Sequence, residues 1–398
     1  MNRILLISAV LVTAFFAANA QVKERGSESR QYTITQLGTL SGTSRGNSIN
    51  DRNWVSGYSG TSTGRRHASF WKNNTLIDLG TLGGPDGYSN VVWPVKNDHG
   101  LIAGISQTNL PDPNHENWSC SPFLFGVGEN LTGNTCVGFV WENGMMRPLP
   151  TLGGPNGFAA GANNLGQITG WAENMVHDTR CVAPQVLQFH PVVWGPRNDS
   201  IHELPLIAND SSGAATGIND RGQAIGISGI CDQAVGRYTA AHAVIWENGR
   251  VSDIGGSQFD APYWNTPMAI NERGDVAGFA GTPGDIDANL LRAFIWTRRD
   301  GVRFLPPLPG HVYSEARGLN DRRQAVGISC SADFSDCRAV LWEKGFVSDL
   351  KALIPGYTGV LTSAQDINDE GEITGRAFDP VANKRLAFLA KPVDEDAD

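Results

Sequence analysis

The chain has 398 residues, with 31 basic against 40 acidic side chains, a formal net charge of −9 and 47 glycines. A mildly acidic chain with no basic patch is a poor ligand for nucleic acid or an anionic membrane. Beyond its first twenty residues it has no apolar run long enough to cross a bilayer as a helix, which excludes an integral membrane segment of that kind after processing.

Taken in order, residues 1–20 read as a secretory signal. Arg3 supplies the positive start, residues 4–16 the apolar stretch, and Ala18-Asn19-Ala20 a small-x-small cleavage site. The signal implies export, to a periplasm or beyond the cell. Residues 21–31 are polar and read as a leader. Residues 32–40 (YTITQLGTL) form a strand pattern that matches residues 76–82 (LIDLGTL), yet no complete unit precedes them.

From there to residue 393 the chain repeats one unit, clearest at residues 215–256. A short apolar strand leads into Asn219-Asp220-Arg221-Gly222, a turn in which Asn and Asp can bond their own backbone and Gly accepts positive φ. A second strand, a loop, and a third strand ending near Trp246 follow. Asn248-Gly249 is a strong hairpin signal, and a fourth strand closes the unit. The turn Asn recurs as Asn50, Asn97, Asn163, Asn219, Asn271, Asn320 and Asn368. Seven residues on there is always Gly: Gly57, Gly104, Gly170, Gly226, Gly278, Gly327 and Gly375. Three residues on, Gly stands in five copies, with Asn53 and Arg323 in the other two. The third-strand Trp is Trp71, Trp141, Trp194, Trp246, Trp296 and Trp342, with Ala390 in the last copy; a Trp at one repeat position is expected to fill the gap between neighbouring sheets.

Seven copies of a four-stranded unit predict an all-β fold, a seven-bladed β-propeller of antiparallel blades. The last copy lacks a fourth strand, so residues 32–40 are expected to complete it and close the ring, leaving no open sheet edge. The predicted organisation is a signal over 1–20, a leader over 21–31, one propeller over 32–393 and a solvated acidic tail over 394–398.

The copies differ in one place. From the invariant Gly to the start of the third strand the interval is 10 residues in copy one (Gly57 to His67) and 33 in copy two (Gly104 to Val137). It is 20 in copy three (Gly170 to His190), 16 in copy four (Gly226 to His242) and 14 in copy five (Gly278 to Arg292), against 11 in the last two. Insertions therefore collect in the loop between the second and third strands, and four enlarged loops sit side by side on one face. All six cysteines lie in these variable segments. An even number in an exported chain reads as disulfides. Position predicts Cys330–Cys337 across the short loop of copy six, Cys120–Cys136 within the longest insertion, and Cys181–Cys231 between adjacent copies.

Chemical motifs are sparse. Gly42-Thr43-Ser44-Arg45-Gly46 has the spacing of a nucleophile elbow but joins two strands where that motif needs a strand and a helix. Asp366–Gly371 resembles the start of a calcium loop but is the repeat turn, with Ala377 at the twelfth position. No metal or cofactor site is expected. His67, His190 and His242 share one repeat position, which points to a structural hydrogen bond. The segment NLPDPNHENW gathers Asp112, His115, Glu116 and Trp118 on an irregular loop inside the longest insertion, a candidate recognition surface on a rigid scaffold.

The strand openings HASFW at His67, HPVVW at His190, HAVIW at His242 and RAFIW at Arg292, with LGTLGG at residues 79–84 and the Ile-Asn turns, resemble the HAF family of extracellular repeat proteins. The resemblance spans about residues 32–392. It implies export and a β-repeat fold and carries no reaction or ligand with it. The leading expectation is a secreted, non-enzymatic propeller binding a protein or glycan through the long-loop face. The rivals are an extracellular hydrolase or lyase acting on polysaccharide, and a structural envelope or matrix component.

Overall fold

The computed structural model describes residues 30–393, apart from 74, 85, 117–123, 125–132, 197–199, 233–235, 257–258, 260–263 and 282–289. Seven four-stranded antiparallel sheets follow one another around a ring. Blade four shows the plan. Ser212–Ile218 pairs with Ala224–Gly229, that with His242–Glu247, and that with Arg250–Asp253. First strands of successive blades approach one another, so they line the central channel. The seventh sheet takes its outer strand from the start of the chain: Tyr32–Gln36 pairs with Lys384–Pro392, with Ile34 opposite Ala390. The fold is the expected seven-bladed propeller, closed by the N-terminal strand.

The repeat pattern has a steric cause. In six blades the inner strand carries a bulge three residues before the turn Asn, as between Ala215 and Gly217 or between Gly46 and Ser48. In every blade a backbone carbonyl of the inner strand lies against the invariant glycine of the second strand. A Cβ on Gly226 would lie 2.0 Å from the Ala214 carbonyl oxygen, and one on Gly327 would lie 1.8 Å from that of Glu315. The corresponding figures at Gly57, Gly104, Gly170, Gly278 and Gly375 run from 1.8 to 2.3 Å. No side chain fits there, because the obstacle is backbone.

The turn asparagines do more than turn the chain. Each donates its side-chain amide to the backbone carbonyl of the next one around the ring: Asn50 to Asn97, Asn97 to Asn163, Asn163 to Asn219, Asn219 to Asn271, Asn271 to Asn320, Asn320 to Asn368, and Asn368 back to Asn50. A second ring runs beside it, in which the amide N–H of the following residue donates to the side chain of its counterpart in the next blade, from Asp51 to Asp98 and finally from Asp369 to Asp51. Both rings lie on the face opposite the enlarged loops. The third-strand tryptophans tie blades together further out. The indole N–H groups of Trp71, Trp194, Trp246 and Trp342 donate to carbonyls of Gly38, Pro150, Pro205 and Pro306 in the preceding blade.

Candidate binding face

The repeat histidines are structural. His67 Nδ1 lies 3.0 Å from the Asp78 carboxylate, His190 Nδ1 lies 2.5 Å from Glu203, and His242 Nδ1 lies 3.0 Å from Asp253. Each pair joins the start of a third strand to the end of the fourth. In blade six Arg338 replaces His and reaches Asp349 at 3.0 Å. Burial and the bond from His67 oppose one another at Asp78, and its pKa ends below the ordinary carboxylate value.

On the long-loop face, part of the insertion is ordered sheet where an irregular loop was expected. The second strand of blade two runs Ile102–Pro111, so Asn109 and Leu110 lie in a strand, and Pro111 faces Asn134. In blade three Ile168–His177 pairs with Leu187–Trp194. These extended arms stand on an aromatic core, with Trp93 against Phe158 at 5.1 Å and Trp171 against Phe189 at 5.4 Å between ring centroids.

The acidic residues of the insertion face inward. Asp112 is 1% exposed and Glu116 is fully buried. Asp112 accepts from the backbone N–H groups of Asn114 and Glu116 and from the Asn156 side chain of blade three. Glu116 Oε1 accepts from the N–H groups of Val186 and Leu187 and from Gln185 Nε2, and Oε2 accepts from Asn114. Through these bonds the insertion of blade two clasps the loop of blade three. His115 is exposed, with φ of 57°. Trp118 lies outside the described residues.

One participant was not singled out from sequence. Glu173, fully buried, accepts from Gln185 Nε2 at 2.9 Å and from the Asn156 backbone N–H at 2.8 Å. Burial, followed by the neighbouring Glu116 charge, pushes its pKa up to about 8. At neutral pH this carboxyl therefore holds a proton. The available signal was positional: Glu173 stands where other copies have Gly60, Gly229 and Gly281.

Two disulfides match their expected pairing. Cys181–Cys231 staples the loops of blades three and four, and Cys330–Cys337 closes the loop of blade six. Cys136 is disulfide-bonded; the expected Cys120–Cys136 pair cannot be placed because Cys120 lies outside the described residues. Above this stapled base the arms expose apolar side chains: Leu110 at 63%, Met175 at 75% and Val176 at 51%. Among the described residues no helix is long and apolar enough to cross a membrane, and no cluster of three metal-ligating side chains occurs.

No protein-family model and no curated protein matches this chain. Its likeness is to solved propeller structures. The acylaminoacyl peptidase of Pyrococcus horikoshii aligns with a TM-score of 0.50 at 8% identity, over 89% of this chain and 53% of that one. The β-propeller domain of the Trilobed protease from Pyrococcus furiosus aligns with a TM-score of 0.47 at 8% identity, over 93% of this chain and all of that one. An oligogalacturonate lyase in complex with manganese aligns with a TM-score of 0.44 at 11% identity, over 92% and 95%. Likeness at such identities extends to fold alone.

Proposed function

We propose that this protein is an exported, non-enzymatic binding module of the HAF repeat type that engages a protein or glycan partner through the face carrying the enlarged loops. The observation that carries the reading is the combination of rigidity below and apolar exposure above. Buried carboxylates and the Cys181–Cys231 bridge fix the loops of blades two, three and four before any partner arrives, while Leu110, Met175 and Val176 remain uncovered. Preorganisation of this kind lowers the ordering cost of association. Disulfides are compatible with an oxidising compartment, as export requires. His115, exposed on the insertion, adds a polar contribution to this surface.

The hydrolase or lyase reading needs a carboxylate that reaches substrate. Asp112, Glu116 and Glu173 do not supply one, because their oxygens are committed to the loops they hold. The test is a pull-down and glycan-array screen with the mature protein, repeated with Met175→Asp and Trp118→Ala. Met175 is exposed near the end of its strand, and both variants are expected to remain folded and lose the partner. Normal binding by both would move the site off this face.

A further inference from the structure

A single repeat position changes character around the channel. The fifth residue before the turn Asn sits on the inner strand opposite the eighth residue after it, so the two side chains share one side of the sheet. In blades three and four this pair is apolar: Phe158 opposite Trp171, and Ala214 opposite Ile227. In blade one it is Arg45 opposite Tyr58, and in blade seven it is Ser363 opposite Arg376. These last two blades are neighbours, joined at the ring closure.

The groups converge on the Tyr58 ring. The Arg45 guanidinium lies 5.5 Å from its centroid and that of Arg66 lies 5.0 Å from it. Arg376 approaches the phenol from blade seven, and the three arginines together draw the Tyr58 pKa below the ordinary phenol value against the effect of burial. Burial lowers the Arg45 pKa to about 10, aided by the charges of Arg376, Arg317 and Arg66 and opposed by Tyr58. Arg317 is neutralised by Glu315, 2.6 Å away. Among the described residues no carboxylate pairs with Arg45, Arg66 or Arg376. The Nε groups of Arg45 and Arg376 and the Ser363 hydroxyl are buried without a hydrogen-bond partner, Ser363 being 5% exposed.

Gathering three half-buried guanidinium groups without a counter-charge is unfavourable in desolvation and in mutual repulsion. Guanidinium N–H donors gathered at one aromatic ring are also groups suited to take a carboxylate or phosphate. We propose that the channel mouth between blades seven and one is a binding site for an oxyanion-bearing small ligand, a carboxylate of an acidic sugar or a phosphate, held by Arg45, Arg66 and Arg376 with Tyr58 and Ser363. Arg66 opens the third strand of blade one directly after its loop, so the site faces the same side as the enlarged loops. Its residues belong to blades one and seven, so it stands independently of the partner surface on blades two to four.

The test uses the intact mature protein in a non-coordinating buffer at constant ionic strength. Thermal unfolding and isothermal titration are followed with inorganic phosphate, with glucuronate, and with uncharged glucose as control. Wild type is expected to be stabilised by phosphate or glucuronate and not by glucose, and the stronger of the two identifies the oxyanion source. Arg45→Gln and Arg376→Gln are expected to weaken that binding at least tenfold. Each is also expected to raise the melting temperature without anion, because each relieves repulsion. A purely structural role gives the opposite sign: both variants melt lower without anion. Absence of binding by either anion up to about 10 mM, a range already weak for a built site, or unchanged binding by both variants, overturns the proposal.

Discussion

The Lys96 ammonium of blade two reaches past blade one and meets the Asp366 carboxylate of blade seven at 2.7 Å. Asp366 is fully buried and also accepts from the backbone N–H of Ile49, while Lys96 donates to the carbonyls of Ile49 and Ile367. Burial raises the Asp366 pKa and the Lys96 charge opposes the rise. The ion pair therefore spans the blades on either side of blade one. Lys96→Met should cost about 3 kcal/mol, because it leaves an uncompensated buried charge. Adding Asp366→Asn should return part of that loss, and urea denaturation of the single and double variants measures both.

Gly226→Ala should cost about 3 kcal/mol or prevent folding, since the new Cβ meets the Ala214 carbonyl and the obstacle cannot rotate away. Gly249→Ala is the control: that glycine has open space around it and φ of 73°, so only backbone strain of about 1 kcal/mol is expected. Equilibrium unfolding should rank the two in this order.

Asn219→Ala should cost about 3 kcal/mol. It removes the donor to the Asn271 carbonyl and the acceptor for the N–H groups of Arg221 and Gln223, all in a buried turn. Hydrogen exchange should report faster opening of blades four and five together, because the lost bond joins them.

The buried carboxyl of Glu173 makes the loop face pH-sensitive. Its folded pKa of about 8 lies above the ordinary value of 4.5, so between these limits the folded state binds more protons than the unfolded state. The stability that this group contributes is therefore greatest below the lower limit and is lost as pH rises through the upper one. Glu173→Gln should flatten the decline between pH 5.5 and 8.5 by about 3 kcal/mol. In wild type the amides of Val186 and Leu187, which bond Glu116, should lose exchange protection over the same range beyond the intrinsic pH effect.

Removing the Cys181–Cys231 bridge, which closes 50 residues, should cost about 4 kcal/mol by loop-closure entropy. Non-reducing peptide mapping should recover this pair and Cys330–Cys337 as linked peptides, and free thiol at either pair would contradict the assignment.

The blade count, strand order and closure were legible because they depend on local signals repeated seven times. Turn asparagines and hairpin Asn-Gly pairs mark tight turns, invariant glycines mark the second strand of each copy, and two incomplete ends leave one way to close a ring. A structural hydrogen bond at His67, His190 and His242 was legible too; its acidic partner on the fourth strand was not. Val137 and Arg292 depart from the His opening, and there the fourth strand offers Pro148 and Phe304 instead of an acid.

What the tertiary structure alone decided is where side chains from different blades meet. Asp112 and Glu116 read as surface acids because charged residues on a loop normally face water. They are buried because donors from Asn156, Gln185, Val186 and Leu187, 44 to 71 residues away in sequence, offset their desolvation. Arg45 lay in a motif that failed as a nucleophile elbow, and nothing near it in sequence marks its position beside Arg376. Curving seven sheets into a ring brings residues more than three hundred apart into one site, and no local rule of the chain encodes that proximity.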